Sequence, residues 1–247
     1  MSGMHSIYLL TSRMQTQMKK MDAASVNVAN ANTNGYKRQA VDFETVIGGR
    51  DARPAGKFVL ERGFRNVLEQ GTINQTGNPL DMAIMGGGFF AVQKADGQPP
   101  VYTRDGHFNL SPDGIVVNQL GEPVLDEGGG EIQIPAETGT LNVNQDGTIE
   151  ADGEQIAQIG VFEFPDQTAL LRIGGNQFRP GEGVQPQALE DTRVIGGAVE
   201  NSNVDPVMET VKLNEVSQAY QGAARLMNRL ESLQERAIRE LPRSNSN

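Results

Sequence analysis

A chain of 247 residues with no cysteine, no tryptophan, 29 glycines and a formal charge of −10 excludes several classes at once. Disulfide scaffolds, thiolate nucleophiles and cysteine-ligated zinc are ruled out, and the negative charge, with no long Lys/Arg cluster, argues against nucleic acid and anionic membrane as partners. An apolar share of 37% with only 5% aromatics favours turn-rich β structure over a helical bundle.

The first twenty residues, "MSGMHSIYLLTSRMQTQMKK", hold only Ile7 to Leu10 as a continuous apolar run. That is too short for a secretory h-region or a membrane span, so neither a cleaved leader nor membrane insertion is expected. Ile7, Leu10, Met14, Met18, Met21 and Val28 fall at helical spacing and read as one amphipathic helix of about six turns. Asn27, Asn30, Asn32 and Asn34 then crowd ahead of Gly35-Tyr36-Lys37-Arg38, too many amides for a helix interior. Asparagine caps helix ends and bonds nearby backbone in turns, and Asn34-Gly35 is a strong turn pair. Tyr36 and Lys37 re-enter ordered chain as an aromatic anchor and a positive charge.

Residues 36–70 read as an extended or loop connection, with a Pro/Gly-rich loop at 48–56, and the β-rich part runs from about Gly71 to Val199. Asp96-Gly97, Asp105-Gly106, Asp113-Gly114, Asp146-Gly147 and Asp152-Gly153 are the dipeptide of tight hairpin turns. Between them lie short β-prone runs such as "FFAV" and "IGVFEF". "FNLSPDGIV" from Phe108 and "LNVNQDGTI" from Leu141 echo each other and predict two similar hairpins; 180–186 reads as a loop.

Asp205-Pro206 is a helix start, with Asp as N-cap and Pro at the first helical position. Leu213, Val216, Tyr220, Ala223, Met227, Leu230, Gln234, Ala237 and Leu241 follow a near-heptad spacing, the pattern of a coiled coil, before a frayed "PRSNSN" tail. Ordering such a helix costs about 1–2 kcal/mol per residue in backbone entropy, against about 1.5–3 kcal/mol returned per fully buried apolar side chain. A narrow stripe therefore does not hold a lone helix. Both ends need partner burial, within the chain or between subunits.

Candidates for chemistry fall short. "NVNQDGTIEADGE" places Asn142, Asn144, Asp146, Gly147 and Ile149 where a calcium loop needs them, but Gly153 stands where the bidentate Glu belongs, with Glu154 one residue late. "MGGGFF" lacks the Lys-Ser/Thr ending of a phosphate loop and reads as a glycine turn into a strand. His5 and His107 are the only histidines and sit in no nucleophile motif. No catalytic, cofactor-binding or metal residue is assigned, and no cofactor is expected.

"SVNVANANTNGYK", Ser25 to Lys37, resembles the Asn-rich signature near the N-terminus of bacterial flagellar rod and hook proteins. Asn27, Ala29, Asn30, Thr33, Gly35, Tyr36 and Lys37 match it, while Val26 and Val28 replace the common Asn and Leu. "TGNPLDMAIMGGGFFAV" from Thr76 and "YTRDGHFNLSPDGIVVNQLGEPVL" from Tyr102 are similar to core segments of that family. "GAVENSNVDPVMETVKLNEVSQAY" from Gly197 resembles its C-terminal segment.

The resemblance implies a mostly β central domain with long N- and C-terminal helices that pair in a coiled-coil-like arrangement on assembly. It divides the chain into an N-terminal axial helix and Asn-rich turn (1–35), a connecting segment (36–70), a β-rich outer domain (71–199) and a C-terminal axial helix and tail (200–247). It implies a structural, non-catalytic subunit of the basal-body rod in the periplasm, needed for flagellum assembly and motility. Its partners would be itself and other rod proteins by helical stacking, including the distal rod, with passage through the flagellar type III export apparatus. The short segment between Arg38 and "GTINQTGNPLD" points to the proximal rod, with the distal rod as the near alternative. Subunit contacts are expected at Ile7, Leu10, Met14, Met18, Met21, Asn27, Asn30, Thr33, Gly35, Tyr36, Lys37, Leu213, Val216, Tyr220, Met227 and Leu230. Two readings from other classes stand beside it: an oligomeric β-rich extracellular binding module, which needs exposed aromatics, and an acid-base hydrolase, which needs two carboxylates converging in a cleft.

Overall fold

The structure is a computed structural model that describes residues 2–47, 57–94, 97–189 and 193–240. It divides into two units: one comprises Met1–Ala29, Gln39–Arg65 and Asp205–Asn247, the other Asn30–Arg38 and Asn66–Val204.

In the first unit, helix α1 (Ser2–Ala29) packs along helix α2 (Pro206–Glu240). The start of α2 follows from its sequence: Asp205 Oδ1 accepts from the backbone N–H of Val207 at 2.9 Å and Met208 at 3.1 Å, satisfying two of the donors a helix N-terminus leaves open. Among the described residues of this unit the buried ones are small or polar, Ala23, Ala24, Ala223, Asn27 and Glu209. Strands Gln39–Ile47 and Lys57–Asn66 pair as a two-stranded sheet, and the first of them touches α1. The segment expected to be extended or loop is thus partly β, because "QAVDFETVI" and "KFVLERGFRN" are rich in β-branched and aromatic residues. The expected loop at 48–56 and the "PRSNSN" tail lie outside the described residues.

The second unit is the β domain. It reaches beyond 71–199 to take in Asn30–Arg38 at one end and residues up to Val204 at the other. Its main sheet has six strands in the order Leu170–Gly174, Gln177–Pro180, Val101–Thr103, Phe89–Val92, Val161–Glu163, Gln187–Ala188, antiparallel throughout. Consecutive side chains on a strand point to opposite faces, and Phe89 and Phe90 divide the core accordingly. Phe90 packs with Phe108, Met82, Ile84, Ile149 and Ile159, and Phe89 meets Phe164 and Phe178 through edge-to-face rings, with Tyr102 edge-on to Phe164 in the same cluster. The described aromatics of this unit are therefore largely interior, which does not favour the extracellular binding module with its need for exposed aromatics.

The two echoed segments form the same turn. Ser111 N–H donates to Ile115 O at 2.8 Å and Gly114 N–H to Ser111 O at 3.0 Å; thirty-three residues on, Asn144 donates to Thr148 O at 2.9 Å and Gly147 to Asn144 O at 3.0 Å. The calcium candidate is this second hairpin. Its oxygens are used inside the chain, with Asn144 Nδ2 on Glu150 Oε1 at 2.6 Å and Thr148 N–H on Asp146 Oδ1 at 3.0 Å. Asp105-Gly106 departs from the hairpin expectation. Gly106 is not in the left-handed region; a Cβ there would lie 1.7 Å from Met82 O, so glycine permits close approach of two backbones. Asp96 lies outside the described residues.

Candidate functional site

The crowd of asparagines resolves into separate roles. Asn27, in the last turn of α1, is 1% exposed and mimics a strand partner: Gln39 N–H donates to its Oδ1 and its Nδ2 donates to Gln39 O, both at 2.8 Å. The same Nδ2 reaches Glu209 Oε2 at 3.2 Å, and Glu209 also takes Lys212 Nζ at 2.6 Å on its other oxygen. One amide therefore joins the end of α1, the strand that follows and the first turn of α2.

The signature loop that continues into the β unit is a succession of turns. Thr33 N–H donates to Asn30 O at 3.1 Å and Tyr36 N–H to Thr33 O at 3.2 Å. Asn34 O accepts from Asn176 Nδ2 at 2.9 Å. Gly35 takes φ +65°, and a Cβ there would fall 2.3 Å from Asp105 N, so both conformation and space demand glycine. Its N–H donates to Glu200 O at 2.7 Å.

Tyr36 and Lys37 turn inward. The Arg172 guanidinium lies 4.5 Å from the centre of the Tyr36 ring and bonds Lys37 O. Lys37 Nζ sits 2.5 Å from Glu200 Oε1 and donates to Glu69 O at 2.9 Å. Glu200 Oε1 also accepts from Gly71 N–H at 2.7 Å, and Arg104 Nη1 lies 3.3 Å from Oε2. Arg104 reaches Gly86 O at 2.7 Å and stacks its guanidinium 5.1 Å over Phe89. Burial pulls the pKa of Lys37 and of Arg104 down; the charge of Glu200 acts the other way on both.

A second clamp lies three residues past Glu200. Asn203 Oδ1 accepts from Arg38 N–H at 2.7 Å, and its Nδ2 donates to Val67 O at 2.9 Å and Glu69 O at 2.8 Å. Asn203 N–H donates to Tyr36 O at 3.3 Å. Sequence reasoning missed Glu200, Asn203, Arg104 and Arg172. The Asn-rich "ENSNVDP" ahead of α2 carried the only hint, since it mirrors the amide crowding behind α1.

Asn30 and Thr33 are half-buried and help line a cavity of about 200 Å3 with Asp105, Asn118, Leu120 and Asn176. Burial pushes the Asp105 carboxyl up. His107 bridges to Asp81 Oδ1 through Nδ1 at 2.7 Å, and Asp81 also collects Thr76 Oγ1 at 2.6 Å and Asn78 Nδ2 at 3.0 Å. That carboxylate is occupied in holding one loop of the β unit. Among the described residues no cluster of three or more His, Asp or Glu is placed to hold a metal ion.

Along the helices, Ile7, Leu10, Met14, Met21, Leu213, Val216, Tyr220, Met227 and Leu230 are half-buried and Met18 is exposed. Packing the helices on each other thus covers the stripes only in part. Val207, Met208, Val211, Leu226 and Leu233 remain 69%, 53%, 45%, 50% and 55% exposed on α2, which leaves apolar surface for further burial. No described helix is long and apolar enough to cross a membrane.

Three family models match the chain. The model described as flagella basal body rod protein covers residues 7–37, that of the flagellar hook protein FlgE/F/G D1 domain 83–151, and that of the flagellar basal body rod FlgEFG protein C-terminal region 195–240. The flagellar basal-body rod protein FlgF of Caulobacter vibrioides is 35% identical, over 98% of this chain and 99% of its own length. FlgF of Mesorhizobium japonicum is 32% identical, covering 96% and 97%. The flagellar basal-body rod protein FlgG of Agrobacterium fabrum is 28% identical, covering 88% and 92%.

Proposed function

This chain belongs to the flagellar basal-body rod protein family, and we propose from that premise that it is the proximal-rod subunit, which polymerises with other axial proteins into the drive shaft between motor and hook. It is a structural protein of the flagellum basal body, not an enzyme, and it associates with other rod proteins. The observation that carries the proximal assignment is the end-to-end likeness to FlgF sequences, at 31–35% identity over 95–98% of this chain, against 28–30% over 87–91% for FlgG sequences.

The mechanism is mechanical. The paired terminal helices, with apolar side chains still exposed, fit an inner tube in which neighbouring subunits complete the burial. Head-to-tail contacts between unlike surfaces build an open helical stack when the rotation does not close a ring. Ile7, Leu10, Met14, Met18, Met21, Leu213, Val216, Tyr220, Met227 and Leu230 serve the helix pair and its neighbours. Asn30 and Thr33 meet the next subunit at the cavity rim, Gly35, Tyr36 and Lys37 act from inside by holding the loop that carries them, and Asn27 serves the contact from the end of the helix pair. The subunit travels through the flagellar type III export apparatus with its N-terminus uncleaved, joins the rod in the periplasm and is followed by the distal rod.

Purified basal bodies from cells expressing a tagged chain test this. The tag should appear at the base of the rod, below FlgG, and deletion should abolish swimming. A tagged protein found only as free monomer beside intact rods would sink the assignment.

A further inference from the structure

Glu200 and Asn203 close the C-terminal end of the β unit, yet much of what they bind belongs to the N-terminal signature loop. Glu200 gives its carbonyl to Gly35 N–H and its carboxylate to Lys37, and Asn203 takes Arg38 N–H on its side chain while its own N–H bonds Tyr36 O. Four consecutive residues, 35 to 38, thus each depend on residues 163 or more positions later in sequence. The electrostatics sharpen this dependence. Lys37 and Arg104 are 1% and 4% exposed, and Glu200 is the carboxylate bonded to both. Without it, Lys37 in the loop would be a buried cation with no bonded carboxylate, next to Arg104, which would keep only the unbonded charge of Glu163, and such a charge unfolds or relocates its segment rather than stay desolvated.

We propose that Glu200 and Asn203 are positioning residues that make the docking conformation of the signature loop conditional on arrival of the C-terminal segment. Only a chain whose segment 200–203 is in place then presents Asn30 and Thr33 to a neighbour. This rests on the reading of the chain as a rod subunit, and it gives that reading a completeness check. The whole β unit separates the loop from its two clamps, so a truncated or partly folded subunit lacks the docking loop and does not occupy a place in the rod.

The test is amide hydrogen exchange on the full-length protein, read beside incorporation into basal bodies, for the wild type, Glu200→Gln, Asn203→Ala and the control Asn201→Ala. Asn201 lies between the two clamps, and its side chain bonds Thr72 rather than the loop. Loss of one buried bond network raises local opening by about tenfold or more. Exchange at residues 33–38 should therefore quicken to that extent in Glu200→Gln and Asn203→Ala, with Phe90 and Ile159 at wild-type rates and incorporation reduced at normal cellular abundance. Asn201→Ala should match the wild type in both readouts. Wild-type exchange at 33–38 overturns the proposal. So does protection lost equally at Phe90 and Ile159 in both variants, which would make the two residues general core. Absence of the wild-type chain from basal bodies would strike the rod-subunit reading instead, while the exchange data still judge the clamps.

Discussion

Lys37 and Glu200, 163 positions apart, meet at 2.5 Å with each side chain 1% exposed. Removing one partner of a buried ion pair strands the other, at a cost of about 3–5 kcal/mol in the general case. Arg104 remains on Glu200, so Lys37→Ala should lie at the lower end, about 3 kcal/mol. Urea unfolding of the variant measures it. A loss below about 1 kcal/mol, the worth of an exposed pair, would show that the pair is not the closed node described above.

Gly35 and Gly77 separate two reasons for glycine. Both have positive φ, +65° and +78°, but a Cβ at Gly77 meets nothing within 4 Å whereas one at Gly35 collides with the Arg104–Asp105 backbone. Gly77→Ala should cost only the left-handed penalty, about 1–2 kcal/mol. Gly35→Ala adds a backbone clash to that penalty and should lower the thermal midpoint far more. Equal melting of the two variants would refute the close approach.

Met227 and Leu230 are half-buried on α2. Changing both to Asp places two charges on a face that must be desolvated, which blocks helix pairing and assembly. The β unit should keep its thermal transition, because its core clusters contain no residue of α2. A β transition shifted along with lost incorporation would mean that the helices stabilise the domain rather than an interface.

Asp152 gives the acid response a defined handle. Backbone N–H groups of Gly139 and Thr140 and the Thr140 hydroxyl hold its carboxyl below the ordinary aspartate value. The unfolded chain then binds that proton more tightly than the folded one, so the stabilisation is complete above the ordinary value and is lost as pH falls through the lowered one. Asp105, pushed up by burial, works in the opposite sense over a higher interval, so a variant isolates the effect better than the wild type alone. Asp152→Asn suits φ +51° and the adjoining Gly153, and it cannot titrate. Urea midpoints from about pH 5 to about pH 2 should fall less steeply for the variant; parallel curves would reject the linkage.

His107→Gln should leave swimming unchanged. The imidazole bridges Asp81, and a Gln amide offers a donor of similar reach. Lost swimming at normal abundance and normal incorporation would reveal a chemical role for His107.

Much of this protein was legible from local pattern alone. The 3.6-residue stripe and the Asp205-Pro206 start give α1 and α2, and the paired Asp-Gly segments give two hairpins with the same hydrogen bonds, because such features depend on neighbours within a few residues. Tertiary structure decided the rest. Two of the crowded asparagines bond groups far away in sequence, Asn27 at the end of α1 with Glu209 and Asn34 beyond it with Asn176. Gly106 looked like a turn glycine and proved to be a point of backbone contact. The Lys37–Glu200–Arg104 node could not be read in advance, since any of the chain's acidic residues might have met Lys37. Which one does is set by the pairing of Ala198–Glu200 with Ile73–Gln75, a long-range register that periodicity does not encode.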